Sequence, residues 1–115
     1  LEDLDGADTR AWIDAQNAVT GAFLGKIDAR TKLKSKLEAL WNYERWGVPR
    51  REGKTYFVSK NDGLQNQSPI YVLDRLDGEL RLLLDPNTLS ADGTVALSGL
   101  VPSDDGTRVA YGLSA

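Results

Sequence analysis

The chain has no cysteine and no histidine in 115 residues. Without cysteine there is no disulfide, no thiolate metal site and no thiol nucleophile. Histidine is the usual general base near neutral pH. A Ser-His-Asp triad therefore cannot be assembled from these residues alone, and imidazole metal sites are excluded with it. No run of about 18 apolar residues occurs, so no membrane-spanning helix is predicted. The chain does not open on a charged segment followed by an apolar one, so no secretory signal is visible. A basic excess is missing too. The 14 Lys and Arg against 17 Asp and Glu leave a net charge of −3, which argues against a dedicated nucleic-acid binder.

What is present suits one modest globular domain, with 41% apolar and 27% charged residues. The first forty residues carry helical spacing. Asp8 and Thr9 are predicted N-caps. Trp12, Ala15, Val19, Ala22 and Phe23 then fall on one helix face. Gly25 is a predicted stop, taking the left-handed conformation that ends many helices. Asp28 is the predicted cap of a second helix with an apolar stripe of Leu33, Leu37, Leu40 and Trp41. Arg30, Lys32, Lys34 and Lys36 occupy its other faces and read as a solvated surface, not a phosphate-binding strip.

Near Asn42 the period changes from helical to alternating. Strands are predicted at Lys54 to Lys60 (KTYFVSK), Ile70 to Asp74, Leu80 to Leu84, Val95 to Val101 and Thr107 to Leu113, with a short one over Trp46 to Pro49. Asp-Gly pairs at Asp62-Gly63, Asp77-Gly78, Asp92-Gly93 and Asp105-Gly106 mark turns between them. Glu52-Gly53-Lys54-Thr55-Tyr56-Phe57-Val58 lines up with Asp105-Gly106-Thr107-Arg108-Val109-Ala110-Tyr111 at an offset of 53 residues. A repeat of about 40 to 50 residues holding four strands is the mark of a propeller blade. Ala96, Ser98, Ala110 and Gly112 put small side chains on one side of the last two strands, which suits close packing against a neighbouring blade. The pattern is two amphipathic helices, then antiparallel strands in more than one four-stranded unit. Such units have open edges, and the chain reads as a piece of something larger.

No motif in the chain carries chemistry by itself. A nucleophile elbow needs G-x-S-x-G at a strand-to-helix turn. The nearest string, Gly112-Leu113-Ser114-Ala115, lacks the second glycine, so Ser114 reads as a strand-end serine. The adjacent carboxylates Glu2-Asp3 and Asp104-Asp105 do not face one site as a glycosidase pair would. Asn61, Asp62 and Asp74 lack the spacing of a calcium loop, and no phosphate-cradling glycine loop occurs. Catalytic, cofactor-binding and metal-binding residues are all expected to be none in this segment.

Several runs are similar to the N-terminal region of the prolyl oligopeptidase family. Leu1-Glu2-Asp3-Leu4-Asp5 with Ala11-Trp12-Ile13-Asp14-Ala15-Gln16-Asn17 resembles that family's "W-L-E-D … A-W-V-x-x-Q-N" start, without the leading tryptophan. Leu40-Trp41-Asn42-Tyr43 and Gly47-Val48-Pro49 resemble its helix-to-propeller junction. Lys60-Asn61-Asp62-Gly63-Leu64-Gln65-Asn66-Gln67-Ser68 is the most specific run. Leu84-Asp85-Pro86-Asn87-Thr88-Leu89-Ser90 and Asp92-Gly93-Thr94-Val95-Ala96-Leu97-Ser98 follow it. Oligopeptidase B and the dipeptidyl peptidases share the architecture but fit these runs less well.

The resemblance implies an α+β segment: N-terminal helices, then the first one to two blades of an antiparallel β-propeller. The implied parent joins a seven-bladed propeller to an α/β-hydrolase domain. Residues 1–43 would be a helical segment packing on that hydrolase domain. Residues 44–115 would start the propeller, with the first blade and part of the second. The implied parent is a serine endopeptidase that hydrolyses short peptides on the C-terminal side of proline. This segment would be structural and inactive alone, with no cofactor. Its partners would be the rest of the peptidase and, for the parent, short proline-containing peptides, with no nucleic acid and no membrane. The family's commoner setting is the cytoplasm, with the periplasm as its other setting. Asn61, Gln65, Asn66 and Gln67 form an amide-rich segment with two readings: a loop lining the tunnel or touching the hydrolase domain, or a solvent-facing loop whose amides serve the backbone. Trp12, Trp41 and Trp46 read as core or interdomain packing. The other functional classes in view are a free-standing β-rich binding module and a related oligopeptidase branch of different specificity.

Overall fold

The computed structural model describes residues 3–114; Leu1, Glu2 and Ala115 lie outside the described residues. Helix α1 spans Ala7–Leu24 and helix α2 spans Ala29–Trp41. The start of α1 differs from the sequence expectation. Gly6 is its N-cap and makes no side-chain cap, while Asp8 sits in the first turn and Thr9 is buried. An acidic side chain there still favours the positive helix end. Gly25 does end α1, but in right-handed geometry (φ −66°), with its N–H on the Gly21 carbonyl at 2.9 Å. The chain winds through Lys26 and Ile27 in tight turns before α2 begins right after Asp28.

The predicted apolar stripes are real in position but are not buried. Trp12 is 54% exposed, Phe23 69%, and Leu33 and Leu37 58% each. Leu24, Ile27, Leu33 and Leu37 border a shallow apolar depression of about 620 Å³. No membrane-crossing helix is present among the described residues. The helical residues up to Leu40 and the residues from Trp41 onward form two separate compact units.

In the second unit the strands are β1 Arg45–Trp46, β2 Arg50–Glu52, β3 Thr55–Asn61, β4 Ile70–Leu73, β5 Arg81–Leu84, β6 Ala96–Pro102 and β7 Val109–Ser114. A 3-10 turn over Pro86–Thr88 lies between β5 and β6. All observed pairings are antiparallel. β3 is the central strand of the first sheet, with β4 and then β5 on one edge. Its TYFVSKN sequence buries Phe57 and Val58, neighbours that point to opposite faces. Burying a Phe or Val side chain fully is worth about 1.5–3 kcal/mol.

β1 and β2 share the other edge of β3. The single short strand expected over Trp46 to Pro49 is instead interrupted there. Trp46 pairs with Lys60 and Arg50 with Phe57, so four steps on one strand face three on the other. Pro49 has no N–H to give the ladder, which suits the break. Val48 bulges outward and is 92% exposed.

β6 and β7 form a second, two-stranded sheet with an irregularity between Leu97 and Gly99. That extra residue, Ser98, shifts the faces. Ala96, Ala110 and Gly112 do share one side, as expected from their sizes. The opposite side, with Leu100, Pro102 and Val109, is the one that meets the first sheet. Leu100 and Pro102 border a small cavity of about 160 Å³ with Phe57, Ser59 and Ile70.

The faint repeat has a structural counterpart. Its two segments are the tight turns before β3 and β7, and these turns touch. Gly53 (φ 56°) and Gly106 (φ 69°) both adopt left-handed backbone. A Cβ on Gly53 would run into the Asp105 carbonyl, and one on Gly106 into the Glu52 carbonyl. A left-handed residue other than glycine costs about 1–3 kcal/mol, and this contact adds to it. Gly106→Ala is therefore expected to lower stability by about 2 kcal/mol or more. The drop would appear as a lower urea midpoint at unchanged slope, and an unaltered midpoint would contradict this packing.

Candidate functional site

The amide-rich segment after β3 and the join between the two sheets are the most closely bonded parts of the second unit. Asn61 closes β3 and is 3% exposed. Its Oδ1 accepts from the Gly63 N–H (2.9 Å) and from Arg45 Nη2 (3.1 Å), and its Nδ2 donates to the Gln65 carbonyl (3.0 Å). Arg45 Nη2 also donates to the Gly63 carbonyl at 2.8 Å. Gln65 Oε1 accepts from the Asp62 N–H at 2.9 Å. The loop is thus wound around one buried amide, whose donor and acceptor are both used.

Lys60, next to Asn61, lies 2.9 Å from both Glu44 and Asp62 and 5.3 Å above the Trp46 ring. Hydrogen bonds to Asp62 and Glu44 push its pKa above the ordinary lysine range. The hydrogen bond from Lys60, then that from Trp46, holds Glu44 below the usual carboxylate range. This cluster ties β1 to the end of β3.

Gln67 and Asn87 join the sheets. The Gln67 N–H donates to Asn87 Oδ1 (2.9 Å), and Asn87 Nδ2 donates to the Gln67 carbonyl (2.9 Å). Asp85 Oδ1 caps the 3-10 turn and holds Asn87 through its N–H and its Nδ2, at 3.0 and 2.8 Å. The Gln67 side chain then crosses to the second sheet. Its Nε2 donates to the Val95 carbonyl at 2.8 Å and its Oε1 accepts the Leu97 N–H at 3.0 Å. One side-chain amide fills a carbonyl and an N–H two residues apart, as a neighbouring strand would.

The turn carboxylates have a plain local role. Asp105 Oδ1 accepts from Ser103 Oγ (2.6 Å), the Thr107 N–H (3.0 Å) and Thr107 Oγ1 (2.8 Å). These bonds, led by that from Ser103, lower its pKa. Asp92 accepts from the N–H and Oγ1 of Thr94 in the same way, and those bonds lower its pKa too. Both are Asp-Gly-Thr turns of one design.

The remaining sequence candidates are not brought together. Ser114 is an exposed residue ending β7, and Ala115 of the same string lies outside the described residues. Asp104 and Asp105 sit on the β6–β7 turn, while Glu2 of the other pair lies outside the described residues. Asn61 and Asp62 are at one end of the first sheet. Asp74, bound to Arg81 at 2.7 Å, follows β4 at the other. Among the described residues no group of three or more acidic, His or Cys side chains is arranged to hold a metal. Trp12, Trp41 and Trp46 are all more than half exposed and form no core of this chain. On α2 the basic strip makes one i,i+4 pair, Lys34 with Glu38 at 3.5 Å. Of the amide segment, Asn61, Gln65 and Gln67 serve backbone groups. Sequence reasoning missed Arg45 and Asn87. For Asn87 the signal was present, because Asp85-Pro86-Asn87 is a capped-turn string.

Comparison with known proteins agrees with this architecture. The family model described as "Prolyl oligopeptidase, N-terminal beta-propeller domain" matches residues 1–115. The chain is 41% identical over 114 residues to a prolyl endopeptidase of Elizabethkingia meningoseptica, covering 99% of this chain and 16% of that protein. It is 32% identical to a prolyl endopeptidase of Dictyostelium discoideum, covering 99% of this chain and 17% of that protein. A chain from a structural and mechanistic study of two prolyl endopeptidases superposes with a TM-score of 0.88 at 29% identity, over 97% of this chain and 16% of that one. Prolyl oligopeptidase B from Galerina marginata, bound to a 35mer hydrolysis and macrocyclization substrate, gives 0.83 at 28% identity, over 96% of this chain and 17% of that one. The chain thus spans about one sixth of the length of the relatives it matches.

The charge cluster and the turns predict a pH dependence. Glu44, Asp92 and Asp105 have depressed pKa values. Their stabilisation is complete above the ordinary carboxylate range near pH 4 and is lost as pH falls through the lowered values. Lys60 behaves oppositely: its stabilisation holds below the ordinary lysine pKa and is lost only in strong alkali. Carboxyl titration by NMR should find Asp105 below the usual aspartate value. An Asp105 that titrates at or above that value would contradict the triple hydrogen bond.

Proposed function

The chain belongs to the prolyl oligopeptidase N-terminal β-propeller family, and from that premise we propose that it is the opening part of a prolyl-specific serine endopeptidase. The observation that carries this reading is the match of the whole chain, helices and strands alike, to a small share of each relative. The parent hydrolyses short peptides on the C-terminal side of proline. A serine attacks proline's own carbonyl carbon, and a histidine takes the serine proton and returns it to the leaving amine of the next residue. With no histidine in the 115 residues, that base comes from elsewhere in the parent.

The segment's own work is structural. Residues 1–43 are the helical part that packs on the hydrolase domain. The exposed stripe of Trp12, Phe23, Leu33 and Leu37 supports this, because so much apolar surface on two helices needs a cover. Residues 44–115 are the start of the propeller: the β2–β5 sheet as first blade and the β6–β7 hairpin as part of the second. Together with the later blades they form a filter that admits short peptides and keeps folded proteins from the active site.

A Gly-Pro reporter peptide with a chromogenic leaving group tests the reading. The full-length peptidase should cleave it and be labelled by a fluorophosphonate, which reacts with an activated serine. The purified 115-residue chain should do neither. Turnover by the purified chain would sink the proposal, as would a full-length protein that cleaves equally well after residues other than proline.

A further inference from the structure

The first sheet and the β6–β7 hairpin meet along one seam, which is fastened at both ends by different means. At the end where β6 begins, the Gln67 amide holds the Val95 carbonyl and the Leu97 N–H at 2.8 and 3.0 Å. The Gln67 backbone is itself tied to the Asn87 side chain by two hydrogen bonds of 2.9 Å each. At the end where β6 finishes, the Gly53 and Gly106 turns lie backbone against backbone. Between the two, Leu100 and Pro102 border one small cavity with Phe57, Ser59 and Ile70. The fastenings therefore span the seven residues of β6 from one tip to the other.

The two fastenings restrain different motions. The amide clamp binds a donor and an acceptor at fixed spacing along β6, so it resists sliding of the hairpin along the sheet. The glycine contact sets how closely the turns approach, so it resists tilting about the other end. Opening the seam from either side leaves the far fastening in place, and opening it fully breaks both at once. Gln67 sits before β4 and Asn87 after β5, so the clamp also ties this neighbouring pair of strands in the first sheet to the second.

We propose that this seam is a fixed joint: the two sheets move as one body, and peptide does not enter between them. The rigidity follows from the two fastenings, and the exclusion of peptide rests on the propeller's proposed role as a filter.

Hydrogen exchange followed by mass spectrometry on the full-length peptidase tests the joint. In the wild type, the segment covering β6 should exchange as slowly as β3 and β4, with or without a bound proline-containing peptide inhibitor. In Gln67→Ala, exchange at Leu97 should rise roughly thirtyfold, the effect of losing two hydrogen bonds. The Gly106 amide at the other end should be unchanged. Gln67→Glu keeps the size but sets a carboxylate oxygen against the Val95 carbonyl, so exchange at Leu97 should again rise above the wild type. It carries the comparison if Gln67→Ala does not fold. A wild-type β6 that exchanges orders of magnitude faster than β3 would overturn the joint, as would a Leu97 indifferent to both substitutions. Cleavage of the Gly-Pro reporter is scored separately. Its absence would remove the filter reading and leave the exchange result standing.

Discussion

The fit between the two sheets depends on two positions where a side chain has no room. Gly53 and Gly106 turn the chain in left-handed geometry, and each presents bare backbone to the other's turn. That contact closes one end of the join between the sheets. Beyond it, Leu100 and Pro102 border one small cavity with Phe57 and Ile70. At the opposite end, the Gln67 side chain holds the start of β6. The hydrogen-bonded Asp105 carboxylate stiffens one of the two turns from within.

The sequence was legible where periodicity decides structure. The three- and four-residue spacing of Trp12, Val19 and Phe23 marked a helix, and the alternation around Thr55 to Asn61 marked a strand. It was least legible at the ends of elements, where several residues compete for one role. Asp8 and Thr9 are better N-caps by type than Gly6. The turn formed by the Gly6 N–H on the Asp3 carbonyl nevertheless starts the helix earlier. Gly25 stopped α1 without using the freedom that made it the expected stop. The small residues of β6 and β7 read correctly as one face, but the bulge at Ser98 decides which face meets the first sheet, and one-residue irregularities leave no periodic signal.

The runs that carried the family resemblance have a physical explanation in the structure. Asn61 and Gln67, within the Lys60 to Ser68 run, each use both a donor and an acceptor on backbone groups. Asp85 and Asn87, within the next run, cap a turn and hold Gln67. A primary amide supplies both functions in one planar group, whereas a carboxylate only accepts and an ammonium only donates. Neither a carboxylate nor an ammonium at Asn61, Gln67 or Asn87 could make the same set of bonds. The helical stripes carry the opposite lesson. Their apolar pattern was visible, but Trp12, Phe23, Leu33 and Leu37 all stay exposed, so the pattern marked a helix face without marking a core.

The interrupted edge strand formed by β1 and β2 has a consequence for the chain before it is complete. An intact outer strand offers a row of free N–H and C=O groups on which another chain can add. Here the row is broken in its middle, where Val48 swings outward and Pro49 has no hydrogen to give. On each side of the break only two or three residues remain, too few to template a stable addition. On a polysome, where copies of one chain emerge side by side, this broken edge gives a neighbouring copy little to pair with.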